Sequence, residues 1–256
     1  KNADVGVAMG VRGTDVAKQA SDMVLLDDNY ATIERAVERG RAIFDNLWKF
    51  GAFLLSANVA EVALVFLASL GGYLVLPAVQ LLWINLVTDG LPALALGADP
   101  QSGDVMERPP RDPTTGIIER PMLELIGGMG TVTTVTLFAL MFYTLEDAAA
   151  ITPYTMTMVF TGFVLLELGG LYVIRWLRET PALSNPWLTV AVASSVLLHL
   201  GVLYTPLAQY FGTVPLTLGD WGILGVGLAV GLLAYLAIAV RIRRLLRGKH
   251  SAEDPY

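Results

Sequence analysis

The 256-residue sequence contains no cysteine, which excludes a disulfide framework and any thiolate metal site within this chain. Charge is scarce: Asp, Glu, Lys and Arg make up 16% of residues against 54% hydrophobic ones, and the mean hydropathy is +0.58. The few charges sum to −6, and no basic patch interleaved with aromatics exists to hold a nucleic acid. Internal repeats, a nucleophile triad and a glycine-rich phosphate loop are all missing. Lys1-Asn2-Ala3-Asp4 leads into soluble-type sequence rather than a secretory signal peptide.

Long apolar runs are what the chain has in abundance. A membrane-spanning helix needs about 20 apolar residues, and six runs qualify, near 43–70, 78–96, 122–145, 155–177, 187–204 and 221–246. Lys and Arg cluster before the first run (Lys1 to Lys49) and between the second and third (Arg108, Arg111, Arg120). They recur after the fourth (Arg175, Arg178) and at the end (Arg241 to Lys249). The connections 71–77, 146–153 and 205–220 contain neither residue. By the positive-inside rule both termini are then cytoplasmic and the number of spans is even, in agreement with six.

Residues 1–42 read differently. Val5–Met9 and Met23–Leu26 are strand-like, Gly13–Ser21 between them is a short helix started by Thr14 or Asp15, and Asp27-Asp28-Asn29 is a turn. That order is the tail of an α/β domain with a parallel sheet, too short at about 40 residues to bury a doubly wound core alone. From Tyr30 the pattern turns helical through Ile33, Ala36, Val37, Ile43 and Leu47, and no proline intervenes before Pro77. One helix is therefore expected to run from this domain into the first span. The expected division is 1–42 for the end of the soluble domain and stalk, and 43–256 for the membrane part. The polar loop 97–121 reads equally as a solvated linker and as a segment docked on the soluble domain.

Two intramembrane stretches carry the chemistry. In Ser56-Ala57-Asn58-Val59-Ala60-Glu61, Asn58 and Glu61 share a helix face, and so do Asn85, Thr88 and Asp89 at i, i+3 and i+4. A charge at mid-bilayer costs roughly 2.5–3.5 kcal/mol, so carboxylates and neutral oxygens gathered there suit a hard cation bound by oxygens. Asp89-Gly90-Leu91-Pro92 is expected to interrupt the second span, because Pro92 cannot donate to the preceding turn and broken helices line ion sites. A plain proline kink with Asp89 as a cap is the alternative. Glu167, between leucines in the fourth span, is either a third carboxylate for the same cation or a structural Glu. Gly169 and Gly170 beside it permit close helix approach. Buried carboxylates released by a cation tend to take up protons, which would permit proton counter-transport. His199, near Ser194 and Ser195, reads as a packing or hydrogen-bonded histidine. Trp83 and Trp221 read as interfacial anchors, and Arg241 to Lys249 as a headgroup anchor.

On these residues the chain resembles the C-terminal part of a P-type cation ATPase, of the sarco/endoplasmic reticulum calcium-pump type. The most specific stretch is Gln80-Leu81-Leu82-Trp83-Ile84-Asn85-Leu86-Val87-Thr88-Asp89-Gly90-Leu91-Pro92. Lys1–Gly10 is similar to the segment following the family's G-D-G-x-N-D motif. Met23–Asn29 and Gly40–Asn46 are similar to the end of its phosphorylation domain and stalk. The resemblance implies a mainly α fold: a six-span helix bundle preceded by the C-terminal remnant of a haloacid-dehalogenase-like domain. It implies ATP-driven Ca²⁺ transport, with Asn58, Glu61, Thr88, Asp89 and Glu167 at one calcium site, and Asn85 and Asp89 at part of a second completed by an earlier helix. The phosphorylated Asp of D-K-T-G and the nucleotide and actuator domains are not in this sequence. ATP and Mg²⁺ would be bound outside it, the N-terminal part of the same pump is the implied partner beside the lipid bilayer, and the chain alone would not hydrolyse ATP. The plasma membrane is expected in a prokaryote; in a eukaryote a reticular membrane is equally compatible. A pump for Mn²⁺, Na⁺ or H⁺ remains the alternative, as does a free-standing, non-enzymatic membrane module.

Overall fold

A computed structural model describes residues 4–101, 105–107, 109–111, 116–145 and 151–252, with the side chains of 246–252 excepted. Arg108 and part of the loop 97–121 lie outside the described residues, as do the side chains of Arg247 and Lys249. The chain divides into two compact units, Lys1–Asp45 with Gly103–Pro110 and Asn46–Ser102 with Arg111–Tyr256.

In the first unit, strand β1 (Val7–Met9), helix α1 (Asp15–Gln19) and strand β2 (Met23–Leu25) form a β-α-β sequence. The strands pair in parallel, Val7 opposite Met23 and Met9 opposite Leu25. Thr14 caps α1 by accepting from the Ala17 amide at 3.2 Å, as a hydroxyl at this position does for an unpaired amide of the first turn. Asp28, at φ 51°, accepts from the Val11 and Arg12 amides, each at 2.9 Å. These bonds, that from Val11 first, hold its carboxyl below the usual carboxylate range. Gly13 turns back onto β1, where a Cβ would lie 2.0 Å from the Met9 carbonyl oxygen. In the same unit Arg41 donates to the Val105 carbonyl at 2.7 Å and Val105 is buried, so of the two readings of this loop the docked one describes the part around Val105.

Helix α2 is unbroken from Ala31 to Leu70. It ends where Gly72 adopts φ 78°, with the Gly72 amide donating to Ser69 O at 3.0 Å and the Tyr73 amide to Ala68 O at 2.9 Å. This is the glycine-dependent stop that satisfies the last carbonyls of a helix. The next span, Ala78–Gly97, has three parts: α3 (Ala78–Trp83), a π-helical turn (Ile84–Thr88) and α4 (Gly90–Gly97). Helices α5 (Arg120–Thr144), α6 (Pro153–Leu177) and α7 (Pro186–Tyr204) each have proline in the first two positions, where a missing amide costs nothing and the fixed φ favours the helix. A short α8 (Ala208–Phe211) precedes α9 (Leu218–Ala252).

Six of these helical segments are long and apolar enough to cross a membrane, and the protein is a mainly helical, multi-pass membrane protein. Within the second unit α6 is the central helix, packed on both α5 and α9, while α4 packs on α7. Close approach depends on glycines. A Cβ on Gly169 would meet Leu232 at 2.8 Å, and one on Gly170 would meet Met129 at 2.7 Å and Tyr235 at 3.1 Å. His199 is buried, bonds Thr161 at 3.1 Å and sets its ring edge-on to Phe160. Trp83 stands edge-on to Phe211, and Trp221 donates to the Tyr204 hydroxyl at 2.7 Å.

Gly130 makes the tightest testable contact between α5 and α2, since a Cβ there would lie 2.8 Å from Val59 Cγ1 and 3.6 Å from the Ala60 amide nitrogen. Val59 is β-branched and cannot swing away cheaply. Gly130→Val should therefore destabilise the helix bundle by about 1–3 kcal/mol, seen as a lower thermal unfolding midpoint in detergent.

Candidate intramembrane cation site

The expected irregularity of the second span is present, but its position and cause differ from the expectation. The break is not at Gly90-Leu91-Pro92. It is the π-helical turn just before, closed by the Asp89 amide donating to Ile84 O at 2.8 Å, and α4 resumes at Gly90 with Pro92 in its first turn. Proline is tolerated in a first turn because those amides lack intrahelical acceptors. The extra residue per turn is absorbed upstream, as π-bulges do, commonly beside functional sites. The Val87 carbonyl at the end of this turn accepts from Ser195 on α7 at 3.3 Å.

The π turn decides where the polar side chains go. Thr88 and Asp89 are turned inward and buried at 0% and 3% exposure, whereas Asn85 is exposed. Asn85 donates to Glu61 Oε2 on α2 at 2.8 Å and to Leu81 O one turn back at 3.0 Å. Asn58 likewise donates to Leu54 O at 2.7 Å. With both amide nitrogens engaged, the amide oxygens are the atoms left available to a cation. Asn58, Asn85 and Asp89 line one open cavity of about 490 Å³ with Phe50, Leu54 and Gly90.

Glu167 faces a second, much smaller space of about 20 Å³ lined also by Ser56, Thr133 and Tyr235. Its position follows from α6 being the central helix: every face there is covered. The structure thus brings Asn58, Glu61, Asn85 and Asp89 together, and sets Glu167 against the same helix α2 through Ser56. Among the described residues no three of His, Cys, Asp and Glu converge closely enough to hold a metal by themselves.

The donor atoms nevertheless fit an oxygen-liganded cation. Thr88 Oγ1, Asp89 Oδ1, Ser56 Oγ and both carboxylate oxygens of Glu167 are buried without a hydrogen-bond partner among the described residues. A buried acceptor left unpaired costs about 1–3 kcal/mol, more when charged, and such groups are rare in native interiors. These five oxygens on three helices are hard donors of the chemical kind that Ca²⁺ or a similar ion takes, divided between the small space at Glu167 and the cavity at Asp89. Sequence reasoning singled out Asn58, Glu61, Asn85, Thr88, Asp89 and Glu167 but not Ser56 as a donor. The signal available was its position one turn before Ala60 on the face that turns inward.

A multi-pass helix bundle with carboxylate and hydroxyl oxygens unpaired among the described residues of its membrane-spanning helices has features in common with ion-translocating membrane proteins. Comparison narrows the class: the family model described as "Cation transporting ATPase, C-terminus" matches residues 73–244, and the chain belongs to that family. It is 43% identical over 231 residues to a calcium-transporting ATPase of Bacillus subtilis (strain 168), covering 86% of this chain and 25% of that protein. It is 37% identical over 269 residues to a calcium-transporting ATPase of Plasmodium falciparum (isolate K1 / Thailand), covering 86% and 22%. It is also 37% identical over 284 residues to calcium-transporting ATPase 2, endoplasmic reticulum-type, of Arabidopsis thaliana, covering 86% and 27%. The chain spans about a quarter of the length of these relatives.

Thr88 offers a clean test of the unpaired donor set, because valine has its shape without the hydroxyl. Thr88→Val should stabilise the cation-free chain by about 1–3 kcal/mol, raising the unfolding midpoint in detergent with a chelator present. A lowered midpoint would mean that the hydroxyl is satisfied.

Proposed function

We propose that this chain is the cation-binding transport part of an ATP-driven Ca²⁺ pump. The observation that carries the reading is the set of buried oxygens of Thr88, Asp89 and Glu167 without hydrogen-bond partners among the described residues, beside the Glu61–Asn85 pair. The names of the relatives support calcium as the ion. Glu61, Asp89 and Glu167 are the anionic ligands, and Asn58, Asn85 and Thr88 complete the oxygen shell. Ca²⁺ takes six to eight oxygens in flexible geometry, whereas Mg²⁺ demands a near-ideal octahedron and dehydrates reluctantly. A scattered, six-residue oxygen set therefore favours Ca²⁺.

Asn58 and Asn85 are exposed and Glu61 is half-buried, an arrangement too costly to leave against hydrocarbon. In this reading the missing N-terminal part of the same pump covers that side and supplies the remaining ligands. It also supplies the nucleotide site for ATP and Mg²⁺, and the phosphorylated residue. In this reading both termini of the present chain are cytoplasmic, which the Lys and Arg distribution supports, and in a prokaryote the membrane is the plasma membrane. The unbroken α2 carries Asn58 and Glu61, and in this reading it is the link through which movement of the phosphorylated domain reaches the ligands.

The test uses the protein extended to its natural N-terminus. ATP should drive ⁴⁵Ca²⁺ into inside-out vesicles, and Glu61→Gln or Asp89→Asn should abolish calcium-dependent phosphorylation from ATP. Normal phosphoenzyme at micromolar calcium in both variants would overturn the ligand assignment. ATP hydrolysis without calcium uptake would retain a pump and transfer the site to Mn²⁺, Na⁺ or H⁺.

A further inference from the structure

Two of the most heavily buried charges in the second unit, Lys49 and Arg175, lie away from the candidate cation site. Asp99, in the residues following α4, accepts Lys49 Nζ from α2 on Oδ2. Arg175 from α6 spans both carboxylate oxygens, Nη2 to Oδ1 at 3.0 Å and Nε to Oδ2 at 3.2 Å. Asn185, the N-cap of α7, donates to Oδ1 at 3.0 Å and to Ala95 O in α4 at 2.9 Å. Asn46 on α2 donates to the Asp99 carbonyl at 2.9 Å. Lys49, Arg175, Asn185 and Asp99 are exposed by only 1%, 0%, 1% and 5%.

The helices joined here are the helices that carry the candidate ligands. Lys49 precedes Glu61 by 12 residues on α2, Asp89 precedes Asp99 by 10, and Glu167 precedes Arg175 by 8 on α6. At 1.5 Å per residue the cluster lies about 12–18 Å along each axis from the corresponding ligand. Apolar contacts between helices tolerate sliding, because one methyl group replaces another. A bidentate guanidinium on a carboxylate does not, since its bonds are directional and have no substitute in a dry interior. A slip of one turn, 5.4 Å, would leave three charged groups buried and unpaired.

We propose that Asp99, held by Lys49, Arg175 and Asn185, is a positioning clamp that sets the relative height of the three helices bearing the cation ligands. This rests on the reading of Asn58, Glu61, Thr88, Asp89 and Glu167 as ligands. The clamp touches no cation; it acts through the register of α2, α4 and α6. Replacing a buried ionic cluster by apolar side chains of similar volume often leaves folding intact, which separates positioning from mere stability.

The experiment uses the full-length pump carrying Asp99→Asn or the triple change Lys49→Met, Asp99→Leu, Arg175→Met, with Lys49→Arg as the conservative control. Maximal phosphorylation from ATP, the cation concentration giving half of it, and the thermal midpoint are measured together. The triple variant should keep its midpoint and its maximal phosphoenzyme but need about 10- to 100-fold more cation, the range found when residues supporting metal ligands are removed. Asp99→Asn should move in the same direction, and Lys49→Arg, which keeps the charge, should shift far less. A folded triple variant with wild-type half-maximal concentration overturns the clamp. Failure of both variants to fold also overturns it, by making the cluster a folding element only. Should the wild-type pump respond to another cation rather than Ca²⁺, that outcome counts against the calcium reading alone, and the clamp is measured with the cation that does stimulate.

Discussion

Everything in the membrane part of this protein depends on one constraint: in hydrocarbon, a polar group that lacks a partner has no water to fall back on. The chain meets this constraint in two opposite ways. Around Asp99 every strong donor and acceptor is matched, and the charges disappear into a closed set of bonds that ties α2, α4, α6 and α7 together. Asp89 Oδ1 and both carboxylate oxygens of Glu167, by contrast, have no hydrogen-bond partner among the described residues. A fully matched cluster resists change, whereas unpaired buried oxygens carry an unmet desolvation cost.

The π turn at Ile84–Thr88 links these two behaviours. It rotates Thr88 and Asp89 to the buried side while leaving Asn85 across from Glu61, a division that a regular α-helix would not give to residues at i, i+3 and i+4. The Val87 carbonyl in this turn also accepts from Ser195 on α7. Close helix packing through Gly130, Gly169 and Gly170 keeps the wall around α6 dense, so Glu167 faces a space of only about 20 Å³, whereas Asp89 lines the open cavity.

Much of this was legible in the amino-acid order. The six apolar runs are local signals, and helices in a membrane are obliged to satisfy their own backbone, so local signals suffice. The polar residues of the site also stood out, because any carboxylate in an apolar run is conspicuous. Less legible was the cause of the break in the second span. Gly90 and Pro92 drew attention as helix breakers, yet a proline in a first turn breaks nothing, and the backbone adjusted one turn earlier.

Three features were decided only in three dimensions. Arg175 and Lys49 count in the sequence as charges near span ends, and nothing local says that both converge on Asp99 from residues 50 and 76 positions away. Ser56 becomes a bare donor only because α6 brings Glu167 against its face of α2. Glu61 and Asn85 become partners only when two spans pack side by side. The sequence by itself determined the number and approximate places of the spans and singled out the polar residues of the candidate site, since those rest on hydropathy and the cost of isolated charge. The tertiary structure decided which charges are paired and which stay bare, because pairing requires atoms from different helices to meet within hydrogen-bond distance, and no periodicity within one helix encodes that meeting.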